Sequence, residues 1–242
     1  MEKKALIKKI IFITIILIII TLAIFSVIKY QVEGEQTLIY DVEKVLVTST
    51  VEGDMIDGTE NLWAIDVSQA NDIFIYIKQK EETELAISNI IIDKFKVNTN
   101  PQKGNIKILR PTGELKTLYK YSEQNYIDSN IEYIGGEIDD LKTLQINNSG
   151  GILGFRVKLE NLGEYISNED TEIVYDGTLL NKVGVTLEEI KTNISFDLTI
   201  KTSDNISYKT TISLDLPVGN IVEEGKSSIE INELNKLVFK RV

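Results

Sequence analysis

The chain has no cysteine and no histidine, and it holds one tryptophan, two methionines and three prolines in 242 residues. Without cysteine there is no disulfide, no thiolate nucleophile, no Cys-ligated zinc or iron–sulfur cluster, and no cysteine to lipidate. Without histidine there is no Ser-His-Asp triad, no imidazole metal ligand, and no side chain that ordinarily titrates between about pH 5 and 8. Sortase-like transpeptidation, which needs both residues, is excluded. Alanine is scarce too, five against 39 isoleucines, the bias of an AT-rich coding sequence such as many bacteria carry. From so restricted a repertoire neither an enzyme, nor a metal site, nor a cofactor is expected.

Charge is missing from one stretch altogether. Ile10–Ile28 is 19 residues without a charged side chain, and fifteen of them are Ile, Leu, Phe or Val; the rest are Thr14, Thr21, Ala23 and Ser26. Nineteen helical residues at about 1.5 Å each span roughly 28 Å, close to the hydrocarbon core of a bilayer. A water-soluble helix would show a polar stripe, and this run has none. Lys3, Lys4, Lys8 and Lys9 precede it against Glu2; Lys29, Glu33 and Glu35 follow. The positive-inside bias then keeps the N-terminus in the cytoplasm and exports the rest. A cleaved signal peptide has a shorter apolar region and a small-x-small site, and Leu22–Ser26 offers no good one. The expected plan is a cytoplasmic 1–9, a transmembrane helix 10–28, a short juxtamembrane linker 29–36 and an extracytoplasmic domain 37–242 held near the membrane surface.

The net charge of −11 divides along the same line. Residues 1–30 carry five Lys against one Glu, whereas the rest carries 21 Lys and Arg against 36 Asp and Glu, a balance of −15. So acidic a domain lacks the basic footprint that nucleic acid requires, and it will not adhere broadly to anionic headgroups.

In the exported part the apolar pattern has period two. Ile194, Phe196, Leu198 and Ile200 alternate with Ser195, Asp197, Thr199 and Lys201; after Ser203-Asp204-Asn205 the alternation resumes from Ile206 to Leu216 and ends at Pro217. That reads as a long antiparallel hairpin with one buried face. Further strand signals lie at Thr37–Thr48, Leu62–Val67, Ile73–Lys78, Ile87–Val97, Asn105–Leu109, Leu115–Tyr121, Leu153–Glu160, Glu172–Tyr175 and Leu237–Lys240. One short helix is marked by a capping box, Thr186 to Glu189. The fold class expected is mostly β: an antiparallel β-sandwich, Ig-like or related, behind one N-terminal transmembrane α-helix. The polar and glycine-rich stretch at 122–140 leaves open a split into two smaller sandwiches.

Candidates for chemistry are few. The adjacent pairs Asp139-Asp140, Glu169-Asp170, Glu188-Glu189 and Glu223-Glu224 supply carboxylates, but neighbours on a strand point to opposite faces. Asp54, Asp57 and Glu60 surround Gly58 in a manner calcium would accept, without the spacing of an EF-hand loop; a solvated hairpin turn accounts for them as well. No Ser-Met-Pro signature supports a Ser–Lys dyad, no Glu near the start of the apolar run supports a pilin, and Gly150–Gly154 lacks the helix of a phosphate loop. The N-x-S/T sequons at Asn147, Asn193 and Asn205 matter only in a eukaryotic secretory route.

One stretch stands out for binding. Lys103, Lys107, Arg110, Lys116 and Lys120 face Glu114 alone, a local excess of basic charge inside an acidic domain. Tyr119, Tyr121, Tyr126 and Tyr133 follow closely, each with a flat apolar ring and a polar tip suited to sugar or protein contacts. Such a surface suits an anionic cell-wall polymer or an envelope protein; the same residues also serve to pair with the domain's own acidic faces and to pack a sandwich edge. The functional expectation is a single-pass surface protein that binds or scaffolds at the cell envelope without catalysis. Its rivals are a carboxylate-dependent surface hydrolase acting on polysaccharide and an accessory subunit of an envelope assembly, contacted through Thr14, Thr21 and Ser26 of the apolar helix.

Overall fold

The computed structural model describes residues 2–59, 62–80, 84–110, 130–134, 146–147, 150–167, 174–232 and 237–242. Its N-terminal helix, α1 (Glu2–Thr37), is a continuous 36 residues. Ile7–Ile28 has a mean hydropathy of 3.2 and is nowhere buried against the protein, so it is long and apolar enough to cross a membrane. Residues 29–36, expected as a linker, and Thr37, expected to open a strand, continue the helix and add about 13 Å beyond the apolar run. Within the span the hydroxyls of Thr14 and Thr21 donate to the carbonyls of Ile10 and Leu17, at 2.9 and 2.8 Å. Bonded back to their own helix, they are already satisfied.

The remainder is built from two antiparallel sheets packed face to face. Its strands are β1 (Tyr40–Thr59), β2 (Leu62–Gln79), β3 (Ile87–Thr99), β4 (Asn105–Leu109), β5 (Asn130–Ile134), β6 (Ile146–Asn147), β7 (Gly150–Ser167), β8 (Thr192–Thr202), β9 (Ser207–Leu216), β10 (Lys226–Ile231) and β11 (Lys240–Arg241). Three short helices, α2 (Thr178–Lys182), α3 (Leu187–Ile190) and α4 (Ile221–Glu224), lie between them. The first sheet runs β10-β1-β2-β7-β4, with β6 also on β7; the second runs β11-β9-β8-β3-β5. If β1, β2, β3, β4, β7, β8 and β9 are read as strands A to G, the sheets are ABED and GFC, the immunoglobulin arrangement. Each sheet draws strands from both sides of residues 122–140. This confirms the mostly-β sandwich behind a single helix.

The β8–β9 hairpin matches its sequence pattern, with inward positions buried along both strands. At the chain's centre the observed strands exceed the local signals. β1 and β2 pair from Tyr40↔Gln79 to Thr59↔Leu62, with bulges between Val42 and Lys44 and between Met55 and Asp57, and the ladder runs through Ser49, Gln69 and Asn71, which break the apolar pattern. Of the strand expected at Glu172–Tyr175, Val174 and Tyr175 are not in a strand, and of that expected at Leu237–Lys240 only Lys240 is, in the pair Lys240–Arg241. The strand expected at Leu115–Tyr121 lies outside the described residues. The Gly150-Gly151 pair opens β7: a Cβ on Gly150, at φ +127°, would lie 2.2 Å from the Ile77 carbonyl oxygen, so only glycine allows that approach.

Two apolar clusters form the core. The larger fills the space between the sheets around Phe155 and Phe196, whose rings meet edge to face at 5.1 Å, with Phe95 beside both. The smaller joins Val51, Val67 and Leu159 of the first sheet to Leu179, Leu180, Ile190 and Ile221 of the helical segments.

Candidate interaction surface

The site is built by the strands that outrun the second sheet. β1 starts three residues after α1 ends, and Met55 lies fifteen residues along it, about 50 Å of extended chain from the helix. This distal end gathers the β1–β2 hairpin, the β3–β4 turn, the β7–β8 connection with α2 and α3, and the β9–β10 connection with α4. It is joined to the sandwich through a buried polar trio on the inner face. Ser49 donates to Asn71 Oδ1 at 2.7 Å, Gln69 and Asn71 exchange amide hydrogen bonds at 2.8 and 2.9 Å, and Asn71 also donates to the Val157 carbonyl at 3.2 Å. The N–H of Val218 donates to Ser49 Oγ at 2.9 Å, drawing the end of the second sheet's hairpin onto the first sheet.

On the outer face of the same strands lies a charged network. Arg156 grips Asp72 with two parallel bonds of 2.6 and 2.8 Å and reaches Glu52 at 2.7 Å. Lys158, its side chain 4% exposed, sends its ammonium to Asp54 at 3.3 Å. Past Lys158 the acids outnumber it: Asp54, Asp66 and Glu164 stand directly opposite one another across three strands. Burial raises the Asp66 carboxyl above its ordinary range; Lys158 opposes this, and Asp54, Glu160 and Glu164 reinforce it.

Apolar side chains are exposed at this end. Met55, Ile56, Ile166, Val174 and Tyr175 are each more than half exposed. Between them and the charged network runs an open groove of about 570 Å³ along β1, lined by Val51 to Asp54, Arg156, Tyr175 and Lys226 among others. Beyond Val51 its backbone edge has no described pairing partner. β10 pairs with β1 up to Lys226↔Thr50, and the N–H of Val51 donates to Gly225 O at 2.9 Å. Strand alternation turns the backbone of Gly53 and Met55 to the same side, where no described residue pairs with them.

The described residues of the basic and tyrosine-rich stretch do not form one surface. Lys103, in the turn before β4, donates to the Gly184 carbonyl at 3.0 Å and approaches Glu189 at 3.8 Å, so it ties β4 to the helical segment. Lys107 is exposed on β4 opposite Lys158, and Arg110 is exposed just past its end. Tyr133 lies on β5 opposite Ile90, on the other sheet. Lys116, Tyr119, Tyr121 and Tyr126 lie outside the described residues.

Of the carboxylate pairs, Glu188-Glu189 serves the helix: Glu189 accepts from the N–H and hydroxyl of Thr186 at 2.8 and 2.9 Å, and Glu188 holds Lys191. The backbone bond from Thr186 leads the contributions that lower the Glu189 carboxyl. Glu223 and Glu224 end α4, while Asp139-Asp140 and Glu169-Asp170 lie outside the described residues. Among the described residues no group of three or more Asp and Glu has the geometry of a metal site. At the Asp54 turn, Lys158 already supplies the cation.

Sequence reasoning missed both the polar trio and the exposed edge. The signal for the trio was present: Ser49, Asn71 and Gln69 occupy inward positions in strands otherwise apolar there. No protein-family model matches the chain, and a comparison with curated proteins finds no match.

Proposed function

We propose that the chain is a single-pass membrane protein of the cell envelope whose extracytoplasmic β-sandwich binds a partner with its distal end and performs no chemistry. The observation that carries this reading is the exposure of Met55, Ile56, Ile166, Val174 and Tyr175, spread over both faces of the strand ends, at the end of the sandwich reached last from α1. Exposed apolar patches of that kind mark association surfaces. The long β1–β2 ladder and the continuation of α1 past its apolar run act as a spacer that carries the patch away from the bilayer. The four lysines before the span, against the single Lys29 just after it, support an N-terminus in the cytoplasm.

The absence of cysteine makes the topology directly testable, since any introduced thiol is unique. A membrane-impermeant maleimide should label a Glu223→Cys variant on intact cells and a Lys4→Cys variant only after permeabilisation; the reverse pattern overturns the orientation. Photo-cross-linkers at Ile56 and Ile166 should yield one common adduct in cells that a linker at Lys78, near α1, does not. Adducts equal at all three positions would reject the distal surface.

A further inference from the structure

We propose that the open edge of β1 at Gly53–Ile56 takes up an extended segment of a partner protein as an added strand, and that this segment alternates apolar with basic residues. The proposal rests on the distal-end reading and names the partner's chemistry. β10 occupies the lane beside β1 as far as Thr50, and Gly225 takes the N–H of Val51; beyond that point no described residue hydrogen-bonds to the backbone edge. A strand edge with unpaired N–H and C=O groups is a template for another chain, and natural sheets protect such edges with charge or bulges. Here the edge-facing residues Gly53 and Met55 carry no charge, and the bulge between Met55 and Asp57 falls only at the far end of the lane.

The two faces beside that lane dictate the pattern of what fits. On the inner face the neighbours are Gly53, Met55 and the ring of Tyr175, which comes so close that a Cβ on Gly53 would lie 3.1 Å from it. On the outer face they are Glu52, which Arg156 holds at 2.7 Å, and Asp54, which Lys158 reaches at 3.3 Å, backed by Asp66 and Glu164. Side chains of an added strand alternate between those faces. The inward ones meet apolar surface and the outward ones meet a row of carboxylates, and opposite charges across neighbouring strands are favourable. A second copy of this chain is a poor occupant for the same reason. Antiparallel self-pairing centred on Gly53 would set Glu52 against the Asp54 of its twin, twice over, carboxylate facing carboxylate.

The test uses the full chain in phosphatidylcholine nanodiscs with three eight-residue peptides: alternating Val and Lys, alternating Val and Glu, and four Val followed by four Lys. Binding is read by fluorescence anisotropy and amide hydrogen exchange by mass spectrometry. The alternating Val–Lys peptide should bind saturably and slow exchange at Gly53 and Met55 at least tenfold. Its affinity should drop at least tenfold in Met55→Lys, with the melting temperature unchanged, and should also drop in Asp54→Asn, whose amide oxygen can still accept from the Lys158 ammonium. Equal affinity for either control peptide, or binding without protection of those two amides, overturns strand addition; so does no binding. A dimer in sedimentation whose Gly53 and Met55 amides are protected without peptide also overturns it, in favour of self-pairing. The in-cell cross-links from Ile166, on β7 rather than at the β1 edge, separate the two claims. Adducts there without peptide protection keep the distal surface and reject the strand; protection without adducts does the reverse.

Discussion

From Tyr40 to Ser49, β1 packs against a second sheet; from Val51 onward the same strand packs against short helices. The first region buries aromatic and branched side chains between two sheets whose ladders hold one another in place. The second buries Val51, Val67 and Leu159 under Leu179, Leu180 and Ile221, carried by helices of four or five residues that have little stability of their own. The contrast separates scaffold from surface. The two-sheet region sets the shape, and the strand continuations carry an apolar, acidic-backed edge that the second sheet leaves uncovered. Local opening free energies in proteins range from near zero to the global value, and binding regions tend toward the low end.

The comparison breaks most visibly in the core. Phe155→Ala removes the ring that joins Phe95 and Phe196 and should cost about 3–5 kcal/mol, lowering the melting temperature of the whole domain. Leu179→Ala, equally buried but in the distal cluster, should cost about 2–4 kcal/mol, appearing as faster amide exchange in β1 beyond Val51 while β8 stays protected. If both variants accelerate exchange throughout, the two regions unfold as one unit and the division is wrong.

A smaller effect tests the joint between them. Asn71→Leu removes a side chain with four hydrogen bonds and leaves the Ser49 hydroxyl and the Gln69 amide short of partners. The expected cost is about 1–3 kcal/mol in chemical denaturation, the penalty of stranded buried polar groups. Ser49→Ala combined with Asn71→Leu should cost less than the sum of the two single changes, because the pair shares a bond. Strict additivity would show that the trio is not a network.

What the sequence discloses follows from range. The apolar helix, the β8–β9 hairpin and the Thr186–Glu189 capping box are each written within one contiguous run, and all are present in the structure. The polar trio is not legible locally, because Ser49, Gln69 and Asn71 look like strand breakers until the β1–β2 register sets them side by side. The candidate surface fares the same way. Lys103 belonged on sequence to a cluster of basic charge, yet its ammonium is committed to Gly184 and Glu189, residues that only the fold brings near. The exposed edge of β1 depends on where β10 stops, a fact about a strand some 170 residues later that no window on β1 contains.

The smallest expected effects come from two aspartates whose carboxyls move in opposite directions. On the second sheet burial alone would raise the Asp197 carboxyl, but hydrogen bonds from Thr211, Lys209 and Lys94 outweigh it and lower it. Its stabilisation is therefore complete above the unfolded value near 3.9 and fades as pH falls through the lower folded value. Asp66 is raised, so its ionised form penalises the folded state at neutral pH, and the penalty disappears below about pH 4 where both states are protonated. Asp197→Asn should thus lower, and Asp66→Asn raise, stability at pH 7, each by about 0.2–1 kcal/mol because both groups are solvent-screened. At pH 3 the Asp66→Asn gain should be gone. Melting curves at the two pH values decide the matter. If Asp66→Asn destabilises at pH 7, then Lys158 compensates the carboxylate row in full, the outer face beside β1 is not short of positive charge, and the demand for basic residues in the added strand falls with it.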